Sequence, residues 1–195
     1  MAIPAQDVTP FVARRQRIMA AMRAAGGGIA ILPTAPEAMR TLSSEHPYRH
    51  DSDFYYLTGF PEPEAWLVLI AGETDKAILF CRSKNLEREI WDGYRFGPEA
   101  AAERFAFDQA HPVEELAARM PQLLADQPAL YAPLASDQSL DRRLRGWMNE
   151  ARMKVRAGTT APARLHDLRA MLAEMRLIKD ASEIALMRRA ARISA

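Results

Sequence analysis

The sequence is poor in the residues from which self-contained active sites are usually built. It holds one cysteine, Cys81, among 195 residues, which excludes an internal disulfide framework and suits a reducing compartment. Cys81 ends the apolar run Ile78-Leu79-Phe80-Cys81, so its thiol reads as inert core rather than nucleophile. The four histidines (His46, His50, His111, His166) show no metal-ligand spacing such as HExxH. His46 and His50 are four apart, but Pro47 forbids the helix that would bring them to one face. There is no GxSxG nucleophile motif. The longest apolar run, Ala65 to Ala71, is far too short to cross a bilayer, and the amino terminus lacks a basic-then-apolar signal pattern. No membrane partner is expected, and a cytoplasmic location is the expectation. Net charge is only +1, so nothing global demands nucleic acid. The charge is split, however: thirteen Lys/Arg face six Asp/Glu from Leu140 onward, a +7 segment after a −6 one. That reads as a solvated helical face or a seam against an acidic domain. A nucleic-acid surface would need neighbouring aromatics, and only Trp147 is near.

What is present is an ordinary globular balance, 49% apolar and 26% charged. Thr9-Pro10 predicts a helix start, with Thr9 as cap and Pro10 at its first position. Phe11, Ile18, Met22 and Ala25 share its buried face, leaving Arg14, Arg15, Arg17 and Arg23 elsewhere. Gly26-Gly27-Gly28 follows a helix and precedes a strand, the reverse of a phosphate loop, and reads as a helix stop. Strands are predicted at Gly28–Leu32, Ala65–Ala71 and Lys76–Arg82, the last two joined as an antiparallel hairpin by Gly72-Glu73-Thr74-Asp75. Further strands are expected at Glu87–Gly93 and Ala129–Ala132. Helices are expected over 98–105, over 112–126 with a kink or break at Pro121, and over 137–152, where Leu140, Leu144, Trp147, Met148 and Ala151 recur at helical spacing. Asp167 can cap a helix to about Met175. Asp180-Ala181-Ser182-Glu183 is a capping-box-like start for a last helix carrying Ile184, Met187 and Ala191 on one face. That helix has no stop signal before Ala195, which predicts a continuing chain. The fold class is therefore α/β, a mixed sheet covered by helices.

The densest stretch is Glu45–Glu64, EHPYRHDSDFYYLTGFPEPE. Ser52 or Asp53 can cap a short helical turn through Leu57, Gly59 supplies a left-handed exit, and Pro61 ends it. Tyr48, Phe54, Tyr55, Tyr56 and Phe60 read as packing, and Arg49 as a local ion-pair partner of Asp51 and Asp53. PYRHDSDFYYLTGFPEPEAWLVL resembles the signature of the aminopeptidase P N-terminal domain, of the creatinase-like "pita-bread" metallopeptidases. The likeness continues at Glu89-Ile90-Trp91-Asp92-Gly93-Tyr94, Thr160-Ala161-Pro162 and Glu174-Met175-Arg176-Leu177-Ile178-Lys179.

The resemblance implies an N-terminal domain over 1–178 and, over 179–195, the first helix of a C-terminal catalytic domain that these residues do not include. In that family two divalent metals, usually manganese, are held by carboxylates and a histidine of the C-terminal domain, where they polarise the scissile carbonyl and generate hydroxide. None of those motifs stands here, so the resemblance implies no cofactor and no catalytic or metal residue in this chain, which alone should be inert. The parent enzyme would release an N-terminal residue preceding proline from proline-containing peptides. Its N-terminal domain would support a homo-oligomer, dimer or tetramer, dock on its own catalytic domain and wall the substrate approach. Two substrate-binding positions carry over from the resemblance. Trp91 matches a tryptophan lining a neighbouring subunit's pocket, with a core tryptophan as the alternative. Arg156 matches an arginine near the active-site entrance that could neutralise a peptide carboxylate, with a solvated arginine as the alternative. Ser43, Ala173 and Ala181 depart from the family's usual Asp, His and Pro. The rival readings are the N-terminal domain of a prolidase or creatinase, and a stand-alone peptide-binding module.

Overall fold

The computed structural model describes residues 7–153 and 158–194. Its centre is a six-stranded sheet in the order β4-β3-β2-β1-β5-β6, formed by β1 (Gly28–Pro33), β2 (Trp66–Ala71), β3 (Lys76–Cys81), β4 (Gln109–Pro112), β5 (Ala129–Ala132) and β6 (Arg164–Asp167). The β2–β3 hairpin is antiparallel, as its four-residue link requires, with Val68 opposite Ile78. β1 is also antiparallel to β2 but parallel to β5, while β3–β4 and β5–β6 are parallel. Five strands therefore run one way and β2 alone runs against them. The mixed sheet expected from the sequence is present.

Both faces of this sheet are covered, and strand alternation divides the core accordingly. Ala30, Leu32, Leu67, Leu69, Leu79 and Tyr131 face one layer, with Ile18, Met22, Leu57, Phe105 and Leu172 from the helices. Ile29, Ile31, Val68, Ile78, Phe80 and Leu130 face the other, with Met120, Leu144, Trp147 and Met148. The first layer is built by α1 (Thr9–Ala24), α2 (Ser52–Thr58), α4 (Gly97–Phe105) and α7 (Leu168–Leu177). The second is built by α5 (Leu116–Leu123) and α6 (Gln138–Met153). Trp66 and Trp147 meet edge to face across the second layer, 5.6 Å between ring centroids. α3 (Leu86–Asp92) and α8 (Ala181–Ser194) contribute nothing to either layer, and neither has a buried residue among those described.

Several local expectations shift by a residue or change type. Val8, not Thr9, precedes α1, and the Asp7 carboxylate accepts from Thr9 N at 3.0 Å. Arg15 lies on the buried face: its guanidinium donates to the carbonyls of Leu57, Phe105 and Ala106, tying α1 to α2 and α4. Three carbonyls replace the lost water, which makes burial tolerable, although desolvation still pulls its pKa down to about 10. Asp51, rather than Ser52 or Asp53, caps α2 by accepting from Asp53 N and Phe54 N at 2.9 and 2.8 Å. Gly59 does close that helix in the left-handed region, φ 65°, and a Cβ there would strike the Phe11 ring at 2.7 Å.

Glu87–Gly93 is a helix and not a strand. Asn85 caps it through Arg88 N, and Glu87 and Glu89 stand in its first turn. The single helix expected over 112–126 resolves into the end of β4, a 3-10 turn at Val113–Glu115 and α5, with Pro121 inside α5. Asp167 caps α7 through Arg169 N at 3.1 Å. The capping box at α8 is reciprocal: Asp180 Oδ1 accepts from Glu183 N, and Glu183 Oε2 accepts from Asp180 N, both at 2.9 Å.

Candidate functional site

Three surfaces have the exposure or the chemistry to act on something else. The first is the α3 arm. Between β3 and α4 the chain leaves the sheet edge, and Leu86, Ile90 and Trp91 stand out from it, Trp91 being 85% exposed. Trp91 belongs to neither core layer of this chain. Apolar side chains of this size in water cost free energy that a covering surface recovers, roughly 25 cal/mol per Å² buried. The arm is braced from within. Lys84 Nζ donates to Arg95 O at 2.7 Å, lies 2.7 Å from the Glu89 carboxylate and sits 3.9 Å over the Tyr94 ring. That ammonium holds the Glu89 carboxyl below its ordinary range, chiefly by hydrogen bonding.

The second is a cleft of about 820 Å³ where β1, β5 and β6 end and β2 begins. Carboxyl edges of parallel strands are where open α/β sheets bind ligands, at the point where strand order changes direction. Here that point is β1, with β2 on one side and β5 on the other. Much of the polar lining is engaged. Asp51 caps α2, Asp53 pairs with Arg176, and Asp137 accepts from Leu140 N at 2.8 Å at the start of α6. Arg169 is held by Asp167 and by Leu134 O at 2.6 Å. Arg143 lies over the Trp66 ring at 5.6 Å, and Glu64 is held at a positive φ of 55°. Arg49 does not pair with Asp51 or Asp53 as expected; it donates to His50 O and Ser52 Oγ, because those carboxylates are taken by the α2 cap and by Arg176.

The aromatic stretch is packing for the most part. Phe54, Tyr56 and Phe60 are buried, while Tyr55 meets Phe11 edge-on at 5.8 Å and stacks on His50 at 4.0 Å.

The third surface is α8. Arg14 of α1 reaches Asp180 at 2.7 Å and Glu183 at 3.7 Å, donates to Tyr56 O and lies 4.2 Å over the Tyr56 ring. Beyond that first turn Ile184, Leu186, Met187 and Ile193 are exposed.

Among the described residues no three His, Cys, Asp or Glu side chains converge closely enough to hold a metal ion. Cys81 is fully buried, and desolvation pushes its thiol up to about 12, far from a reactive thiolate. No described helix is long and apolar enough to cross a membrane. Arg156 lies outside the described residues. Trp91 and the cleft stand in separate stretches of sequence, and the cleft is legible only from strand order, which the sequence does not state.

Comparison with known proteins gives the family. The aminopeptidase P, N-terminal domain family matches residues 11–131. Xaa-Pro aminopeptidase of Escherichia coli is 39% identical over 187 residues, 95% of this chain and 42% of that protein. Among solved structures, Pseudomonas aeruginosa aminopeptidase PepP superposes with a TM-score of 0.91 at 41% identity, over 99% of this chain and 43% of that one. Proline aminopeptidase P II from Yersinia pestis gives 0.90 at 39%, covering 97% and 43%. The chain thus spans about two fifths of the relatives it matches. With more than half its residues inside the family match and its fold shared at this identity, the chain belongs to the aminopeptidase P N-terminal domain family.

Proposed function

We propose that this chain is the non-catalytic N-terminal part of a Xaa-Pro aminopeptidase, and that it supports subunit assembly and presents an apolar wall to the substrate approach. The observation that carries this reading is Trp91, exposed at the head of the α3 arm in a chain of this family. An indole there can cover a proline ring or an aliphatic side chain without desolvating a polar partner. Residues 1–178 would form that domain, and 179–195 would be the first helix leading into a catalytic domain carrying two divalent metals, manganese as the family suggests. Those metals would polarise the scissile carbonyl; this chain would bind and orient. Arg156 would face the peptide's carboxylate, and the assembly would be a cytoplasmic homo-oligomer.

Hydrolysis of a Xaa-Pro peptide with added manganese tests the division of labour. Turnover by a polypeptide containing the catalytic domain, and none by these 195 residues, is the expected result. Turnover by the 195 residues would overturn it. Trp91→Ala in the catalytically complete enzyme should raise KM about tenfold with Tm unchanged, the size of one lost apolar contact. Parallel losses of Tm and activity would remove Trp91 from the substrate wall.

A second reading, a stand-alone peptide-binding module, is favoured by the cleft of about 820 Å³, whose size suits a small ligand. Saturable shifts of the amides around Trp66 and Arg143 on adding a short peptide to this chain would support it, and their absence would discard it.

A further inference from the structure

The α3 arm leaves the sheet at Arg82 and returns at Phe96, and both of these residues are buried, 7% and 5% exposed. Ser83 to Tyr94 between them are half-buried or exposed wherever described. One side chain touches both ends. Glu62, itself 6% exposed, accepts from Phe96 N through Oε1 at 2.7 Å and faces the Arg82 guanidinium through Oε2 at 3.7 Å. It stands in the rigid turn Pro61-Glu62-Pro63, whose two proline rings fix φ on either side. We propose that Glu62 is a positioning residue that clasps the two roots of the α3 arm and so sets how far Trp91 projects. Its bearing on substrate rests on the reading of Trp91 given above.

The geometry argues for a working clasp and against incidental packing. A buried carboxylate is expensive, and desolvation raises the Glu62 pKa despite the Phe96 amide and Arg82. A neutral residue of similar size would avoid that cost, so the position holds a group whose stability contribution is poor and whose orienting contribution is specific. Among the described residues Arg82 Nε and Glu62 Oε2 are buried without a hydrogen-bond partner, and the 3.7 Å ion pair is what joins the two groups. Lys84 adds the second brace, from the outgoing root to Arg95 O on the returning one. With no described residue of α3 buried, these two side chains carry what a packed face carries elsewhere.

The test is made first on the 195-residue chain. Amide hydrogen exchange over 83–96 should quicken at least tenfold in Glu62→Ala and less in Glu62→Gln, which keeps an acceptor for Phe96 N. Exchange in β2 and β3 should stay unchanged. An equal rise in arm and sheet, or no rise in the arm, overturns the proposal. Should Glu62→Ala not fold, Glu62→Gln and Arg82→Met carry the measurement, because both leave the turn and its prolines intact. Acrylamide quenching reads the same arm through Trp91, the exposed one of the three tryptophans. In the catalytically complete enzyme, Glu62→Gln and Trp91→Ala should raise KM non-additively, the double variant matching Trp91→Ala alone. Additive effects overturn the clasp's link to substrate. If Trp91→Ala leaves KM unchanged, the substrate-wall reading fails, while exchange still decides whether Glu62 holds the arm.

Discussion

α6 and α8 present the same signal in sequence and opposite fates in structure. Leu140, Leu144, Trp147, Met148 and Ala151 recur at helical spacing, and all five are buried in α6. Ile184, Met187 and Ala191 recur in the same way, yet α8 buries nothing and is held through polar contacts of its first turn. Amphipathic spacing shows that a helix has a face to cover; it does not say where the cover comes from. For α6 the cover is one face of the sheet, Trp66 of β2 included, together with α5. For α8 nothing among the described residues supplies it.

The comparison can be broken most sharply by truncation on each helix. Trp147→Ala should cost about 3–5 kcal/mol, because it empties the edge-to-face contact with Trp66 and leaves a cavity. Met187→Ala in this chain should change stability by less than about 0.5 kcal/mol. Urea melts of the two variants give the ratio; comparable costs would mean that α8 is packed. Next in size is release of α8. Arg14→Met removes the ion pair to Asp180 and Glu183, and proteolysis or exchange over 181–194 should rise severalfold. Global stability should fall by no more than about 1 kcal/mol, since the pair is partly solvated.

The smallest effect is acid. Burial opposes ionisation of Asp180, but hydrogen bonds from Ser182, Glu183 N and Arg14 outweigh it and hold the carboxyl well below the ordinary aspartate value of 3.8. A depressed carboxyl stabilises the folded contact above that ordinary value and loses the contribution as pH falls through the depressed one. Docking of α8, followed by exchange over 181–194, should therefore hold at pH 6 and loosen on strong acidification. Arg14→Met should blunt that response. A helix equally loose at both pH values would show that the clamp is not electrostatic.

How much was legible divides along the same line. Strands β1, β2, β3 and β5 announced themselves as short apolar runs, and the hairpin by its link, because burial on both faces requires continuous apolar sequence. β6 and β4 did not: Arg164–Asp167 and Gln109–Pro112 are polar edge strands, specified by the neighbours they pair with. The Glu87–Gly93 segment looks strand-like because Ile90-Trp91 resembles half of a strand, whereas the Asn85 cap, whose side-chain oxygen accepts from Arg88 N three residues on, is the decisive local signal. The site divided likewise. Trp91 was visible as a motif residue, its exposure was not, and Glu62 passed as part of a proline turn because its partners lie twenty and thirty-four residues on.

The position of β1 has a consequence for how the chain is made. β1 joins β2 about forty residues later through local antiparallel pairing, but its other edge waits for β5, with Ile29 opposite Leu130 about a hundred residues downstream. Closing that long a segment is slow relative to forming the meander. During synthesis the nascent β1–β2–β3 unit therefore shows an open, apolar edge at Ile29 and Ala30 until Leu130 and Tyr131 have emerged. That interval is when one growing chain is most exposed to pairing with another, and it is where a chaperone would shield this protein.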